Sequence, residues 1–317
     1  MLSAMTQEAA MPDPTAAAAG LAAETRQIFG RDWLCAGRVE SLPDPGCYLT
    51  LQVADQPVVV LRDADGQLRA MLNLCLHRKL PLLQGRGKVA AITCPYHAWS
   101  YRLDGHLRGA SSLLGQGLCQ AQTTLHPLRL LVWQGWLLLT LNPGAARPTE
   151  ALAEVARWIA PCDMTGYAEV LCEDFRWPID WKALAGSFIQ NGAPLPGAAG
   201  SQSVLETDVV HLAAAQPAGT PLPGDRRHLT WLLAIYPGLL ITLTPKCLWY
   251  LCLTPDGADA VRLHFGAALA PGHHDDPDAQ ALLAQVMTLL QAVQDDARDP
   301  GLPDGAFGRY LASRLPA

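Results

Sequence analysis

The sequence predicts an α+β protein in two parts, an all-β first half and a second half of helix and antiparallel sheet. Three observations carry this. Between Trp33 and about Pro143 short Val-, Leu- and Thr-rich runs alternate with turn signals. Beyond residue 200 similar runs return, in SVLETDVVHLAAA, HLTWLLAIYPGLLITLTP, CLWYLCLTP and AVRLHFGAAL. Near the end, PDAQALLAQVMTLLQAVQDDAR at 277–298 has the periodicity of an amphipathic helix.

The elements follow in order. Residues 1–32 read as a frayed tail leading into a helix, AAETRQIFGRDW, with the spacing of an element that packs on a domain. Residues 33–145 hold the strand candidates YLTLQV, PVVVLRD, LRAMLNL, AAITCPY and LVWQGWLLLTL. Pro-Asp-Pro-Gly, Asp-Ala-Asp-Gly and Leu-Asp-Gly supply turns between them. Residues 146–317 begin with a helix near Thr149, and FRWPIDWKALAGSFI reads as a second helix. No internal repeat is visible, and the order suits a β-domain followed by an α+β domain.

Composition narrows the function. Half of the 317 residues are hydrophobic and 16% are charged, which suits a globular protein with ample core. The net charge is −6 and no Lys/Arg stripe occurs, so nucleic acid is not an expected partner. No uninterrupted apolar run suggests a membrane span. The start lacks a basic segment followed by an apolar core, so no secretory signal is expected. Nine cysteines, an odd number, argue against a disulfide framework and for a reducing cytoplasm.

One motif stands out. NLCLHRKLPLLQGRGKVAAITCPYHAW places Cys75-x-His77 and Cys94-x-x-His97 on two short segments. Two thiolates and two imidazoles can enclose a metal centre. A structural zinc site usually pairs like with like, Cys with Cys and His with His. Here each segment carries one of each. That distribution suits a Rieske [2Fe–2S] centre, in which one iron takes two Cys and the other two His.

From about residue 20 onward the chain resembles the α subunits of Rieske non-haem iron oxygenases, of ring-hydroxylating or demethylating type. The resemblance rests on RDWLCAGRVESLPDPG, the two cluster segments, CPYHAWSYRLDGHLRGA, and DWK at 180–182. It implies a Rieske domain, a catalytic domain with a separate mononuclear iron, and trimeric rings in which one subunit's cluster faces the next subunit's iron. It also implies that two His after the Trp-containing helix, with one carboxylate from a C-terminal helix, hold that iron. In this sequence those His positions fall on Ala193 and Ala198, and the acidic bridging position falls on Gln190. Asp295 or Asp296 could be the remaining carboxylate. No His occurs between His126 and His211, so a shifted register restores nothing.

The expectation is therefore a degenerate member without a mononuclear iron. It would be a non-catalytic subunit of a hetero-oligomer, passing electrons from a reductase or ferredoxin to a catalytic α-type partner. Two alternatives stand beside it: an active oxygenase whose ligands come from later histidines with Asp295 or Asp296, and a redox-sensing binding protein. His211, His228 and His264 read as hydrogen-bonded or surface residues. PGHHDDPD at 271–278 reads as an exposed loop, GRGK at 85–88 as a turn, and Cys247 and Cys252 as core.

Overall fold

The computed structural model describes residues 14–110, 123–191, 201–216, 221–296 and 305–315. The described residues open with α1 (Pro14–Glu24), which widens into a π-helical turn at Thr25–Phe29. Ten strands follow: β1 (Leu34–Arg38), β2 (Cys47–Val53), β3 (Gln56–Arg62), β4 (Leu68–Leu72), β5 (Arg86–Lys88), β6 (Ile92–Thr93), β7 (Ser100–Tyr101), β8 (Leu107–Gly109), β9 (Pro127–Trp133) and β10 (Trp136–Thr140). Seven make one antiparallel sheet in the order β1-β10-β9-β4-β3-β2-β5, and β6-β7-β8 form a small sheet of their own. The run LVWQGWLLLTL, read as one strand, is a hairpin. Gln134 and Gly135 take φ of 50° and 81°, the left-handed pair that a tight two-residue turn requires.

After α2 (Thr149–Trp158) the second region begins with β11 (Ala168–Trp177) and α3 (Trp181–Asn191). It continues with β12 (Gln202–Glu206), β13 (Val210–Ala214), β14 (Trp231–Ile235), β15 (Leu239–Leu243), β16 (Cys247–Pro255) and β17 (Val261–Leu269), then α4 (Pro277–Asp296) and α5 (Gly305–Arg314). Its sheet is antiparallel in the order β11-β17-β16-β15-β14-β13-β12. The helix expected over FRWPIDWKALAGSFI starts only at Trp181, because Phe175–Trp177 finish β11 and Pro178 cannot continue either element. GRGK is an edge strand, β5, paired with β2 rather than a free turn. Neither β11 nor α5 was anticipated, since a ten-residue mixture of apolar and charged types and a short Gly-containing segment carry little periodicity.

The second sheet has two covered faces. Leu232, Ala234, Leu251, Phe265 and Ala267 pack with α3 through Trp181, Leu184 and Phe188. On the other face Leu233, Ile241, Tyr250 and Ala268 pack with Trp136 and Leu138 of β10 and with α2. Polar groups also join the two regions. Trp181 Nε1 donates to Glu24 at 2.8 Å, and Tyr310 Oη donates to Asp32 at 2.7 Å.

Asp63 shows how a buried acid is kept in the first sheet. It is 2% exposed and accepts from the backbone N–H of Asp65 and Gln67 and from Arg69 Nε at 2.8 Å. Desolvation by itself raises its pKa, but these donors outweigh it and the net shift is downward. A depressed folded-state pKa contributes stability above the ordinary carboxylate range, lost as pH falls through the folded value. Asp63→Asn is therefore expected to cost about 1–3 kcal/mol at neutral pH. The gap to the parent should narrow below about pH 4, read from denaturation midpoints across pH.

Candidate metal centre

Cys75 follows β4, and Cys94 lies in the loop joining β6 to β7. The two loops repeat one geometry. The N–H of Cys75 donates to Leu80 O and that of Cys94 to Trp99 O, both at 2.8 Å. The N–H of Lys79 donates back to Cys75 O, and that of Ala98 to Cys94 O. Lys79 and Ala98, each four residues after its cysteine, both take φ of 55°. This left-handed conformation costs a non-glycine residue energy, so its appearance at both equivalent places marks a shape the site imposes. Asn73 pins the first loop by accepting from Leu83 N–H and donating to Leu83 O.

The side chains converge. Cys75 and Cys94 are buried at 1% and 3% exposure in a core with Val59, Leu61, Ile92, Trp99 and Tyr101. The His77 and His97 rings lie 4.7 Å apart, steeply inclined, and Trp99 stacks on His77. Nδ1 of His77 is buried without a hydrogen-bond partner, an orphan that a metal ion would satisfy. Desolvation, with help from the nearby His97 and Arg78, lowers the His77 pKa and favours the neutral ring that ligates metals. Two buried thiols and two neighbouring imidazoles thus fit a [2Fe–2S] cluster: thiolates toward the core, imidazoles toward the surface. His97 and Tyr96 form the exposed rim, Tyr96 at 60% exposure.

Residues 32–114 match the Rieske [2Fe-2S] domain family. These residues are a Rieske domain. The chain is similar to oxygenase subunits of monooxygenases. A glycine betaine monooxygenase oxygenase subunit of Pseudomonas aeruginosa is 33% identical over 160 residues, covering 50% of this chain and 37% of that protein. The corresponding subunit of Chromohalobacter salexigens is 30% identical over 252 residues, covering 75% of this chain and 56% of that protein. The matched stretches thus span between about a third and just over half of those relatives' length. A quaternary ammonium Rieske monooxygenase crystallised with L-carnitine superposes with a TM-score of 0.72 at 21% identity, covering 87% of this chain and 78% of that one. The fold is therefore a Rieske domain joined to a catalytic-type α+β domain with an antiparallel sheet.

These findings correct the expectation of a non-catalytic electron-transfer subunit. The relatives are oxygenase subunits of monooxygenases, and the 252-residue match is far longer than the Rieske domain alone. The expectation that this chain carries no mononuclear iron rests on Ala193 and Ala198, and the similarity to oxygenase subunits of monooxygenases weighs against it. Ala193 and Ala198 lie outside the described residues, so the structure does not place them. Gln190 is exposed on the last turn of α3 and Asp295 is exposed near the end of α4. Asp296 closes α4, and its side chain lies outside the description.

The second domain offers other groups. His211 is buried on the α3 face of the sheet, paired across strands with Ala234. Its unpartnered Nδ1 is 3.7 Å from Glu206 Oε1, and desolvation lowers its pKa. His264 pairs with Cys252 on the opposite face, the side that carries Tyr250 and packs toward the Rieske domain. The two histidines therefore cannot share one metal, which removes the simplest form of converging later-strand ligands. His273 and Asp276 are bound up with Lys246, whose ammonium lies 3.1 Å from Asp276 and 2.7 Å from Asp278. A lysine already supplies the cation there. Cys119 lies outside the described residues.

Tyr101 is placed to tune a cluster that Cys75 would hold. Its hydroxyl lies 3.2 Å from Cys75 Sγ and accepts from Leu76 N–H at 3.0 Å, leaving its own proton for the sulfur. Burial raises its pKa, so the phenol stays protonated and able to donate. Such a bond favours the more negative reduced state. Tyr101→Phe is expected to lower the reduction potential by roughly tens of millivolts, a fraction of the about 1.5–3 kcal/mol of a hydrogen bond to a charged group. Redox titration of the purified protein checks this.

Proposed function

We propose that this chain is the oxygenase component of a Rieske monooxygenase that oxidises a small quaternary ammonium compound. One observation carries the reading. Similarity to a glycine betaine monooxygenase oxygenase subunit covers 75% of the chain, more than residues 32–114 alone can account for. The cluster cage and the shared fold of the second domain support it.

In this proposal Cys75 and Cys94 hold one iron of the cluster and His77 and His97 the other. The bound cluster supplies one-electron transfer. The exposed rim at Tyr96 and His97 is where a reductase or ferredoxin docks. Tyr101 hydrogen-bonds the Cys75 sulfur and Trp99 fixes the plane of His77. The trimeric arrangement that the resemblance implies becomes a ring of identical chains. Ala193 and Ala198 carry only methyl groups, which cannot coordinate a metal, so the mononuclear iron takes atypical ligands. His211 with Glu206 is the described imidazole–carboxylate pair on the α3 face that could contribute.

The test combines iron counting with turnover. With iron, a reductase and NADH supplied, the protein should hold three irons per chain and consume oxygen with glycine betaine or carnitine. His211→Ala should lower the count to two while leaving the cluster spectrum intact. Two irons in the parent protein, with no oxidation of any quaternary ammonium compound, would end this reading.

A further inference from the structure

β11 is the edge strand of the second sheet, and it carries a β-bulge between Glu169 and Leu171. On a regular strand, residues three apart project from opposite faces. The extra residue of the bulge cancels that offset, so Glu169 and Cys172 project from the same face. On β17 His264 pairs across the ladder with Asp174, two residues along from the Gly266 that faces Cys172. One carboxylate oxygen, one sulfur and one imidazole nitrogen from these three residues all lie within 4.8 Å of one another.

The surroundings are those of a ligand set. His264 Nδ1 lies 2.9 Å from an Asp174 carboxylate oxygen. Donation there puts the proton on Nδ1 and leaves the Nε2 lone pair facing Cys172 Sγ, at 3.4 Å. A carboxylate fixing the tautomer in this way is the usual support behind a metal-bound histidine. Tyr250 Oη donates to Glu169 Oε1 at 2.5 Å, holding that carboxylate in place. Gly266 leaves the room that the Tyr250 ring fills, since a Cβ there would come within 2.3 Å of it. The cation now beside the group is Arg86 of the Rieske domain, whose Nη2 lies 3.2 Å from His264 Nε2. It is an exposed, long side chain that can move aside.

We propose that Glu169, Cys172 and His264 form a binding site for a divalent borderline transition-metal ion such as Zn2+, at the edge where the Rieske and catalytic-type domains meet. One sulfur, one nitrogen and one oxygen suit such an ion. Tetrahedral coordination needs ligand atoms roughly 3.3–3.7 Å apart, so side-chain rotation alone closes the set. Binding replaces the Cys172 S–H bond by an S–metal bond and releases that proton to solvent, while Arg86 swings outward. The inference stands apart from the oxygenase reading, because it concerns metal binding and not turnover.

The test is a Co2+ titration of the cluster-loaded protein after chelator dialysis, read as a difference spectrum against the untitrated sample. One Co2+ per chain is expected, with a near-ultraviolet thiolate-to-cobalt band. Cys172→Ser should lose the band, and His264→Asn should weaken binding at least tenfold, while both keep the cluster spectrum as proof of folding. Arg86→Gln should bind Co2+ more tightly. The proposal is overturned if the parent protein shows no such band. It is equally overturned if binding survives both Cys172→Ser and His264→Asn, an adventitious ion only, or if Arg86→Gln weakens it.

Discussion

Replacing Cys94 with serine is expected to leave the protein without its cluster. A serine hydroxyl in a site 3% exposed is a poor ligand for iron and gives up the thiolate that the loop geometry delivers. Iron and acid-labile sulfide should fall to near zero, and the EPR signal of the reduced protein should disappear. Cys75→Ser should behave alike, because the two loops carry the same hydrogen bonds and the same left-handed residue. The histidines predict a different result. If His77 and His97 share one iron, exchanging both for cysteine makes an all-thiolate site. The potential of any cluster assembled in that variant should then drop by roughly 250 mV or more. Retention of the native spectrum in Cys94→Ser would remove the cluster assignment.

Arg38→Ala is expected to be the most damaging change away from the cluster. The side chain is fully buried on β1. Its Nη2 donates to Met164 O at 2.8 Å, to Tyr167 O at 3.1 Å and to Glu40 Oε1 at 2.7 Å, and the guanidinium stacks over Trp136. It therefore ties the first sheet to the segment that leads into β11. Truncation strands two carbonyls, loses the stacking and opens a cavity beside Gly135. A loss of about 3 kcal/mol follows, with thermal unfolding of the holoprotein lowered by roughly 5–10 °C. Arg38→Lys should recover little, because a point ammonium cannot reproduce the planar fork. Unchanged unfolding in Arg38→Ala would show that this buried arginine does not hold the two regions together.

Much of this was legible from residue patterns. The Cys-x-His and Cys-x-x-His segments identified a cluster site because ligand type and spacing are local properties. β2, β3, β4, β16, β17 and α4 fall where β-branched runs and helical periodicity placed them, since each is long or strongly patterned. β11 escaped because its residues alternate poorly, being an edge strand with a bulge and several acids. Reading the second domain as catalytically empty is overturned by the similarity to oxygenase subunits of monooxygenases. Two alanines in one register exclude those two ligands, and say nothing of groups that distant strands bring together.

The division between the two sources follows from range. The sequence by itself determined the α+β class and the four candidate cluster ligands, both of which depend on neighbours along the chain. Only the tertiary structure decided that His211 and His264 lie on opposite faces of one sheet. It alone brought Glu169, Cys172 and His264, up to 95 positions apart in the chain, within 4.8 Å. Strand register and a single inserted residue set those directions, and both are fixed by pairing with partners far away in the chain.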